Sequence, residues 1–229
     1  MPNSIYNDGQ YLDYNPSWHI EDSPWKAGQI RKMIERNKLQ FSSVAEIGCG
    51  AGEILRQLQL SYPQSTYHGY EISEQAYQLC LQRQQEGLTY YLKDMLTVGT
   101  TYDLALAIDV VEHIPDCFGF VSQFKKKAKY KIFHFPLDVS VMTTLMPRYL
   151  TERRKKYGHI HFFTKESALD LLRDTGYTII DSFYTPASIA RGKTIEAKLA
   201  RYPQKLLYAI NKNFCVRLIG GFSFMILAE

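Results

Sequence analysis

Short apolar runs alternate along the chain with segments whose apolar residues recur every three or four positions. The short runs predict strands near 43–47, 66–71, 89–93, 103–109, 130–135, 177–184 and 221–228. The longer periodicity predicts helices near 52–61, 73–85, 117–128, 165–175 and 193–216. Ser23 and Pro24 are a suitable N-cap and first residue for an earlier helix that runs to about Asn37. This alternation predicts an α/β fold, a mainly parallel sheet with helices on both faces.

Two long connections interrupt the alternation. Residues 137–164 follow the fifth predicted strand, and a long connection at the carboxyl edge of such a sheet is usually functional. We predict that this segment is an insertion on the substrate side and that residues 187–218 form a helical insertion before the last strand. Residues 1–40 are predicted to form an N-terminal cap and a helix. Nothing marks a second domain, so residues 1–229 are predicted to fold as one unit.

The second connection has an amphipathic pattern with two interpretations. Its apolar positions are Ile195, Leu199, Tyr202, Leu206, Ile210 and Phe214, and a neighbouring stripe is basic. A basic amphipathic helix at 193–217 is typical of peripheral contact with an anionic membrane. The favoured interpretation is a helix packed on the sheet with a solvated lysine face. In either case Pro203 is predicted to kink or divide the helix.

Residues 44–52 read Val-Ala-Glu-Ile-Gly-Cys-Gly-Ala-Gly, which is a buried strand followed by a glycine turn. A glycine turn between a strand and a helix lets a ligand lie against the backbone. The dinucleotide pattern Gly-x-Gly-x-x-Gly needs a glycine at position 53, where this chain has Glu. The spacing therefore disfavours an NAD-dependent enzyme.

Three later segments, residues 66–73, 88–96 and 102–116, follow the glycine turn in order. The first ends in an acid, Glu71, about 20 residues after the turn, where α/β nucleotide sites place a ribose-binding acid. The last continues from an apolar strand into Asp-Val-Val-Glu-His-Ile-Pro. Together with the glycine turn, these segments resemble the motifs of class I S-adenosylmethionine-dependent methyltransferases of the small-molecule and lipid type.

The resemblance implies a fold and a cofactor site. The fold would be Rossmann-like, with a seven-stranded sheet whose last strand is antiparallel. Glu71 would bind the ribose, Asp94 the adenine amino group, and Met95 would pack on the ring, while Asp109 would lie near the methionine end. The residues assigned to S-adenosylmethionine, and to the product S-adenosylhomocysteine, are Glu46, Gly48, Cys49, Gly50, Gly52, Glu71, Ile72, Asp94, Met95, Asp109 and Val110.

The implied reaction is displacement of the activated methyl group by a substrate nucleophile. A hydroxyl nucleophile needs a general base at neutral pH, whereas a carboxylate does not. The candidate bases are, in order, His113, His159 and His161, and O-methylation is favoured. His134, within a predicted strand, is expected to be structural. The four cysteines show no metal or redox spacing, so no metal is expected.

Charge is distributed unevenly along the chain, although the net charge is only +4. Residues 1–124 carry 8 basic and 15 acidic side chains, whereas residues 125–217 carry 19 basic and 7 acidic ones. The acidic half suits a sulfonium cofactor, and the basic half favours an anionic small molecule or a glycan- or lipid-linked substrate. In particular, the basic run at 153–156 is predicted to guide such a substrate into the cleft.

Two other functions stay open on the residues alone. Asp-Val-Val-Glu replaces the Asn-Pro-Pro-Tyr-like motif of enzymes that methylate nucleic-acid bases, although the basic runs at 125–127 and 153–156 keep RNA methylation open. A non-catalytic cofactor-binding or scaffolding protein is the other alternative. The N-terminus lacks an apolar signal region and the cysteines are scattered, so a cytoplasmic location is expected.

Overall fold

The fold is known from a computed structural model, which describes residues 14–15, 17–18, 20–186 and 202–229. Its strands are β1 (Ser43–Ile47), β2 (Thr66–Glu71), β3 (Leu88–Leu92), β4 (Tyr102–Ile108), β5 (Ala128–Leu137), β6 (Ile179–Thr185) and β7 (Phe222–Ala228). They form a seven-stranded sheet in the order β3-β2-β1-β4-β5-β7-β6. The β1–β2, β2–β3, β1–β4 and β4–β5 pairs are parallel, and β7 is antiparallel to both of its neighbours. The predicted fold class and the antiparallel last strand are confirmed.

The helices are α1 (Ser23–Asn37), α2 (Glu53–Ser61), α3 (Glu74–Leu81), α4 (Cys117–Phe124), α5 (Val141–Leu145), α6 (Tyr149–Tyr157), α7 (Lys165–Asp174), α8 (Tyr202–Ile210) and α9 (Lys212–Ile219). The prediction made α4 four residues too long. Ala128 instead pairs with Tyr102 of β4, so β5 begins there after a 3₁₀ turn. The predicted helix 73–85 was also too long, because α3 ends at Leu81.

Alternate residues of β4 pack into two layers of core on opposite faces of the sheet. Leu104 and Leu106 lie with Ile30 of α1 and Leu55 of α2 in one buried cluster. Ala105 and Ala107 lie in the other cluster, which includes aromatic residues of α4 and β5. Each fully buried Leu or Ile side chain contributes about 1.5–3 kcal/mol, so this layering holds the strand ends in fixed positions.

The two long connections contain structure that the sequence pattern did not predict correctly. Residues 137–164 contain α5 and α6. Within the described residues, the second connection breaks at Asn211, whose side chain caps α9 by accepting a hydrogen bond from the Phe214 N–H at 3.0 Å. Pro203 lies in the first turn of α8, where no backbone donor is needed, so the predicted break at Pro203 depends on the residues before Tyr202. Residues 193–201 of the predicted helix lie outside the described part of the chain, as do residues 1–13.

Within the described residues, none of the helices has the length and apolar character required to cross a bilayer.

Candidate functional site

The glycine turn follows β1 and is held by β2 and β3. Gly48, Gly50 and Gly52 all have positive φ angles, of 63°, 56° and 79°. The Tyr90 hydroxyl donates a 2.6 Å hydrogen bond to the Gly52 carbonyl, and a Cβ at Gly52 would lie 2.6 Å from the Tyr90 ring. By contrast, no described atom lies within 4 Å of a Cβ built on Gly50. The turn is therefore closed against the sheet at Gly52 and open at Gly50, where a ligand has room to approach the backbone.

Glu71, at the carboxyl end of β2, is tied to this turn. Its Oε2 accepts from the Gly50 N–H at 2.9 Å, and its Oε1 accepts from the Ile72 and Ser73 N–H groups at 2.8 Å. The side chain is only 6% exposed, and burial raises its pKa. A carboxylate has about four lone-pair positions, so Oε2 can still accept a ligand hydroxyl. Glu71 therefore supports the glycine turn and keeps an acceptor position for a ligand.

A cluster of acids lies beside the turn, at the carboxyl ends of β1 and β4. Glu46 is buried, and its Oε2 has no hydrogen-bond partner among the described residues. Burial raises the pKa of Glu46 well above its ordinary value, and the charges of Glu71 and Asp109 raise it further, against the opposing effect of Lys26. The Lys26 ammonium lies 2.7 Å from Asp109. Three carboxyl groups therefore lie near the Lys26 ammonium, and a cationic ligand group beside them would favour their ionised forms.

Asp109 is fixed in an unusual backbone conformation, with φ of 55°. The Nδ1 of His134 lies 2.5 Å from the Asp109 Oδ1, and the Nε2 of His134 lies 2.7 Å from the Thr185 hydroxyl. Burial opposes ionisation of Asp109, but His134 and Lys26 outweigh it and hold the pKa of the carboxyl well below its ordinary value. His134 is buried with both ring nitrogens hydrogen-bonded, which supports its structural interpretation.

The two residues predicted to contact adenine, Asp94 and Met95, lie just after β3. Asp94 is exposed and caps a 3₁₀ turn by accepting from the Leu96 N–H at 2.8 Å. Met95 is fully buried in the core, so in this conformation it offers a ring no exposed surface. Ile72, which is 54% exposed, is the apolar side chain available beside Glu71. The adenine role of Met95 remains a prediction that its burial does not favour.

Two of the three candidate bases are brought together, and the third is separate. The 3₁₀ turn that ends at His113 is joined to residues 158–161, because the Glu112 carbonyl accepts from the Ile160 and His161 N–H groups at 2.9 and 3.1 Å. This pairing puts the rings of His113 and His159 5.1 Å apart, centroid to centroid. The Nε2 of His161 instead donates to the Ile114 carbonyl at 2.9 Å.

The environment of His113 argues against its predicted role as a base. Burial, with the neighbouring His159, lowers the pKa of His113 to about 4. Its Nδ1 lies 3.1 Å from the Gly158 carbonyl, to which it donates a hydrogen bond. A general base works best with a pKa near the operating pH, so His113 is a weak base at neutral pH.

Three further polar groups at this site were missed by sequence analysis. Asp138 accepts from His159 Nδ1 at 2.6 Å and lies 3.5 Å from Arg153 Nε. An acid directly after a strand was a usable signal for Asp138, since ligands bind at the carboxyl ends of such strands. Glu112 was visible in the motif but unassigned, and no pattern pointed to Lys26.

The basic run at 153–156 divides into two groups. The guanidinium of Arg153 lies 5.1 and 5.0 Å from the ring centroids of Tyr149 and Tyr157, and it faces Asp138. The other three side chains, residues 154–156, are exposed. These three face solvent most fully, whereas Arg153 is half-buried, and the guiding role of the whole run stays a prediction.

A cavity of about 350 Å³ lies at the same edge of the sheet, beyond the ends of β5 and β6. It is lined by apolar residues, by hydroxyl groups and by the cationic side chains Lys165 and Arg217. Arg217 is paired with Glu166 at 2.6 Å. The cavity therefore combines apolar walls with a few polar groups, as small-molecule sites generally do.

Comparisons with known proteins are consistent with this geometry. The magnesium protoporphyrin IX methyltransferase of Synechocystis PCC 6803, solved with S-adenosylmethionine, superposes with a TM-score of 0.62 at 15% identity, covering 100% of this chain and 96% of that one. The N-methyltransferase NodS of Bradyrhizobium japonicum WM9, solved with S-adenosylhomocysteine, has a TM-score of 0.60 at 15% identity, with 96% and 98% coverage.

A third solved structure is phosphoethanolamine N-methyltransferase 2 of Haemonchus contortus, with a TM-score of 0.62 at 15% identity, covering 99% of this chain and 58% of that one. At such identities these likenesses show the fold alone. No curated protein sequence matches the chain. A family model described as a methyltransferase domain matches residues 24–182, from the start of α1 into β6. The chain therefore belongs to the methyltransferase domain family.

Proposed function

We propose that this protein transfers a methyl group from S-adenosylmethionine to a small, anionic substrate, with a hydroxyl oxygen as the favoured acceptor. The observation that carries the proposal is the acid cluster of Glu46, Glu71 and Asp109 around a glycine turn that is open at Gly50. A sulfonium and an ammonium group are both complementary to such a cluster. The ribose-binding role of Glu71 is supported by the acceptor position that remains on its Oε2.

The chemistry requires the chain mainly to align the reactants and exclude water. S-adenosylmethionine supplies a methyl group that is already activated, so proximity and orientation provide much of the rate enhancement. Glu46 and Asp109 would hold the positive end of the cofactor, and the backbone at Gly50 would contact its amino-acid portion. His134 and Thr185 keep Asp109 in place through their hydrogen bonds.

The anionic substrate is supported by Lys165 at the cavity, where Arg217 is already paired with Glu166, and by the exposed group at residues 154–156. We test it with a methyl-transfer screen that uses radiolabelled S-adenosylmethionine and matched acceptors. Each hydroxyl-bearing acid is paired with its neutral ester, and amines and an RNA mixture are included. Turnover of the anionic hydroxyl compounds above their neutral partners supports the proposal. Preference for RNA or amines contradicts the substrate class, and turnover of no acceptor would favour the non-catalytic alternative.

We also propose that the helical insertion contacts an anionic membrane. Tyr202, Leu206, Ile210 and Phe214 are 54–74% exposed, so this stripe does not pack on the sheet as the favoured interpretation required. The adjoining α5 also exposes large apolar side chains, including Leu145 at 74%. An exposed apolar face with basic neighbours is complementary to anionic lipid.

A vesicle sedimentation experiment tests this contact. The double variant L206D/I210D should lose binding to vesicles that contain phosphatidylserine. L60D is the matched control, because Leu60 is 64% exposed on α2 and lies outside the stripe. Equal sedimentation of parent and double variant, or no preference for phosphatidylserine over phosphatidylcholine, would contradict the proposal.

A further inference from the structure

We infer that Glu112, His113 and His159 form a binding site for a divalent transition-metal cation of the zinc class. Each residue offers one ligand atom, and the three atoms lie within 4.8 Å of one another. They come from two separate segments, the 3₁₀ turn after β4 and the end of the connection after β5. This inference revises the expectation of no metal, which rested on cysteine spacing.

Glu112 is the first argument for a cation. Its side chain is 0% exposed, and neither carboxylate oxygen has a hydrogen-bond partner among the described residues. Leaving a buried carboxylate without a partner is strongly unfavourable. Among the described residues, the Nε2 of His113 lies 3.8 Å from the Glu112 Oε1, beyond hydrogen-bond distance. A bound cation would satisfy this carboxylate, which the described protein atoms do not.

The two imidazoles are oriented as metal-binding histidines generally are. Nδ1 of His113 donates to the Gly158 carbonyl, and Nδ1 of His159 donates to the Asp138 carboxylate. With the proton on Nδ1 in each ring, Nε2 carries the lone pair. A histidine ligand usually donates its other N–H to a carboxylate or carbonyl in this way, which fixes both tautomer and ring orientation.

One pair of ligand atoms is close to the separation of an assembled site. With metal–ligand bonds of about 2.0–2.2 Å in a tetrahedral arrangement, ligand atoms lie about 3.3–3.6 Å apart. The 3.8 Å separation of His113 Nε2 and Glu112 Oε1 needs a contraction of about 0.2–0.5 Å, whereas the other pairs, which lie within 4.8 Å, need a contraction of up to about 1.5 Å. Two imidazoles and one carboxylate suit zinc and its neighbours in the first transition row, whereas magnesium and calcium prefer oxygen ligands.

Three protein ligands leave a coordination position for a substrate oxygen. Of the two neighbouring ligands, His113 is 16% exposed and Glu112 is fully buried. If the proposed O-methylation holds, on which this role rests, the metal would act as a Lewis acid on the substrate hydroxyl. The hydroxyl releases its proton to solvent, its oxygen bonds to the methyl carbon, and the carbon–sulfur bond breaks with its electron pair kept on sulfur.

Calorimetric titration of the chelator-treated full chain with zinc chloride tests the site. The parent should bind one equivalent. E112Q and H159Q should each raise the Kd by more than about 100-fold, and D138N by about 10- to 100-fold, as expected for an outer-shell partner. H161Q is the matched control, because His161 lies two residues from His159 and bonds to Ile114 instead. Affinity of each variant for S-adenosylhomocysteine reports whether it is folded.

Histidine NMR of the parent makes the test independent of any variant. Zinc should shift the side-chain signals of two of the six histidines and leave His161 unchanged. The inference would be overturned if the parent did not bind zinc, or if both E112Q and H159Q bound it with the parental Kd. It would also be overturned if H161Q lost as much zinc affinity as those two variants. Each of these results leaves cofactor binding and methyl transfer untouched, so failure of the metal site is distinguishable from failure of the proposed function.

Discussion

The change of Glu71 to Gln removes one charge and one acceptor from the centre of the cofactor site. The remaining carbonyl of Gln can still accept from the Ile72 and Ser73 N–H groups, but its amide NH₂ would face the Gly50 N–H. An unsatisfied buried donor costs about 1–3 kcal/mol, so we expect the free energy of unfolding to fall by that amount. Loss of a charged acceptor for the ribose costs about 1.5–3 kcal/mol in binding, which raises the Kd for S-adenosylhomocysteine about 10- to 150-fold.

Glu74 provides the matched control for this variant. It lies three residues later, in the first turn of α3, and it is exposed. E74Q makes the same charge change without removing a buried hydrogen bond, and surface substitutions usually shift stability by less than about 0.5 kcal/mol. Urea unfolding and calorimetry of parent, E71Q and E74Q therefore separate a local effect from a change in net charge.

A second ligand separates ribose binding from support of the glycine turn. The parent should bind 2′-deoxy-S-adenosylhomocysteine more weakly than S-adenosylhomocysteine, whereas E71Q should distinguish the two ligands much less. Such coupling is the expected signature of a direct contact. The reasoning is refuted if the Kd of E71Q for S-adenosylhomocysteine is within twofold of the parental Kd. It is also refuted if removing the 2′-hydroxyl weakens binding by the same factor in both proteins.

Three further variants test other parts of the site. G52A should lose cofactor binding, because its Cβ would lie 2.6 Å from the Tyr90 ring at a φ of 79°; calorimetry that shows parental affinity would contradict this. E46Q should have a higher free energy of unfolding than the parent at pH 7.5 but not at pH 4. Burial raises the pKa of Glu46, so in the parent the stabilising contribution of this carboxyl is lost as pH rises above 4.5. Urea unfolding of both proteins at the two pH values checks this. The same variant should bind S-adenosylmethionine more weakly. Changing residues 154–156 to Gln should lower kcat/KM on an anionic substrate mainly at low salt, without changing cofactor affinity; equal turnover at low salt would assign these residues no guiding role.

The strands were predictable because each is a short segment rich in apolar and aromatic residues between turn or helix signals. Residues 43–47 and 66–71 were predicted with the bounds that the structure has. Helix ends were less predictable, because strand pairing decided where α4 ends. The sheet order came from the family resemblance and not from the pattern itself.

The candidate site was only partly predictable for a physical reason. The glycine turn, Glu71 and Asp109 lie in contiguous motifs, so local sequence was sufficient to find them. His159 is brought to Glu112 by hydrogen bonds between segments that are far apart in the sequence, and no spacing rule describes that contact. Lys26 reaches Asp109 from α1, and Arg153 packs between two tyrosines, which are tertiary contacts without a local signal.

Calorimetric titration with S-adenosylmethionine tests the central claim most directly, namely that the open glycine turn and its acid cluster bind this cofactor. We predict one equivalent bound by the parent, a similar response to S-adenosylhomocysteine, and loss of both in G52A. Binding of NADH without a response to either adenosyl ligand would contradict the account.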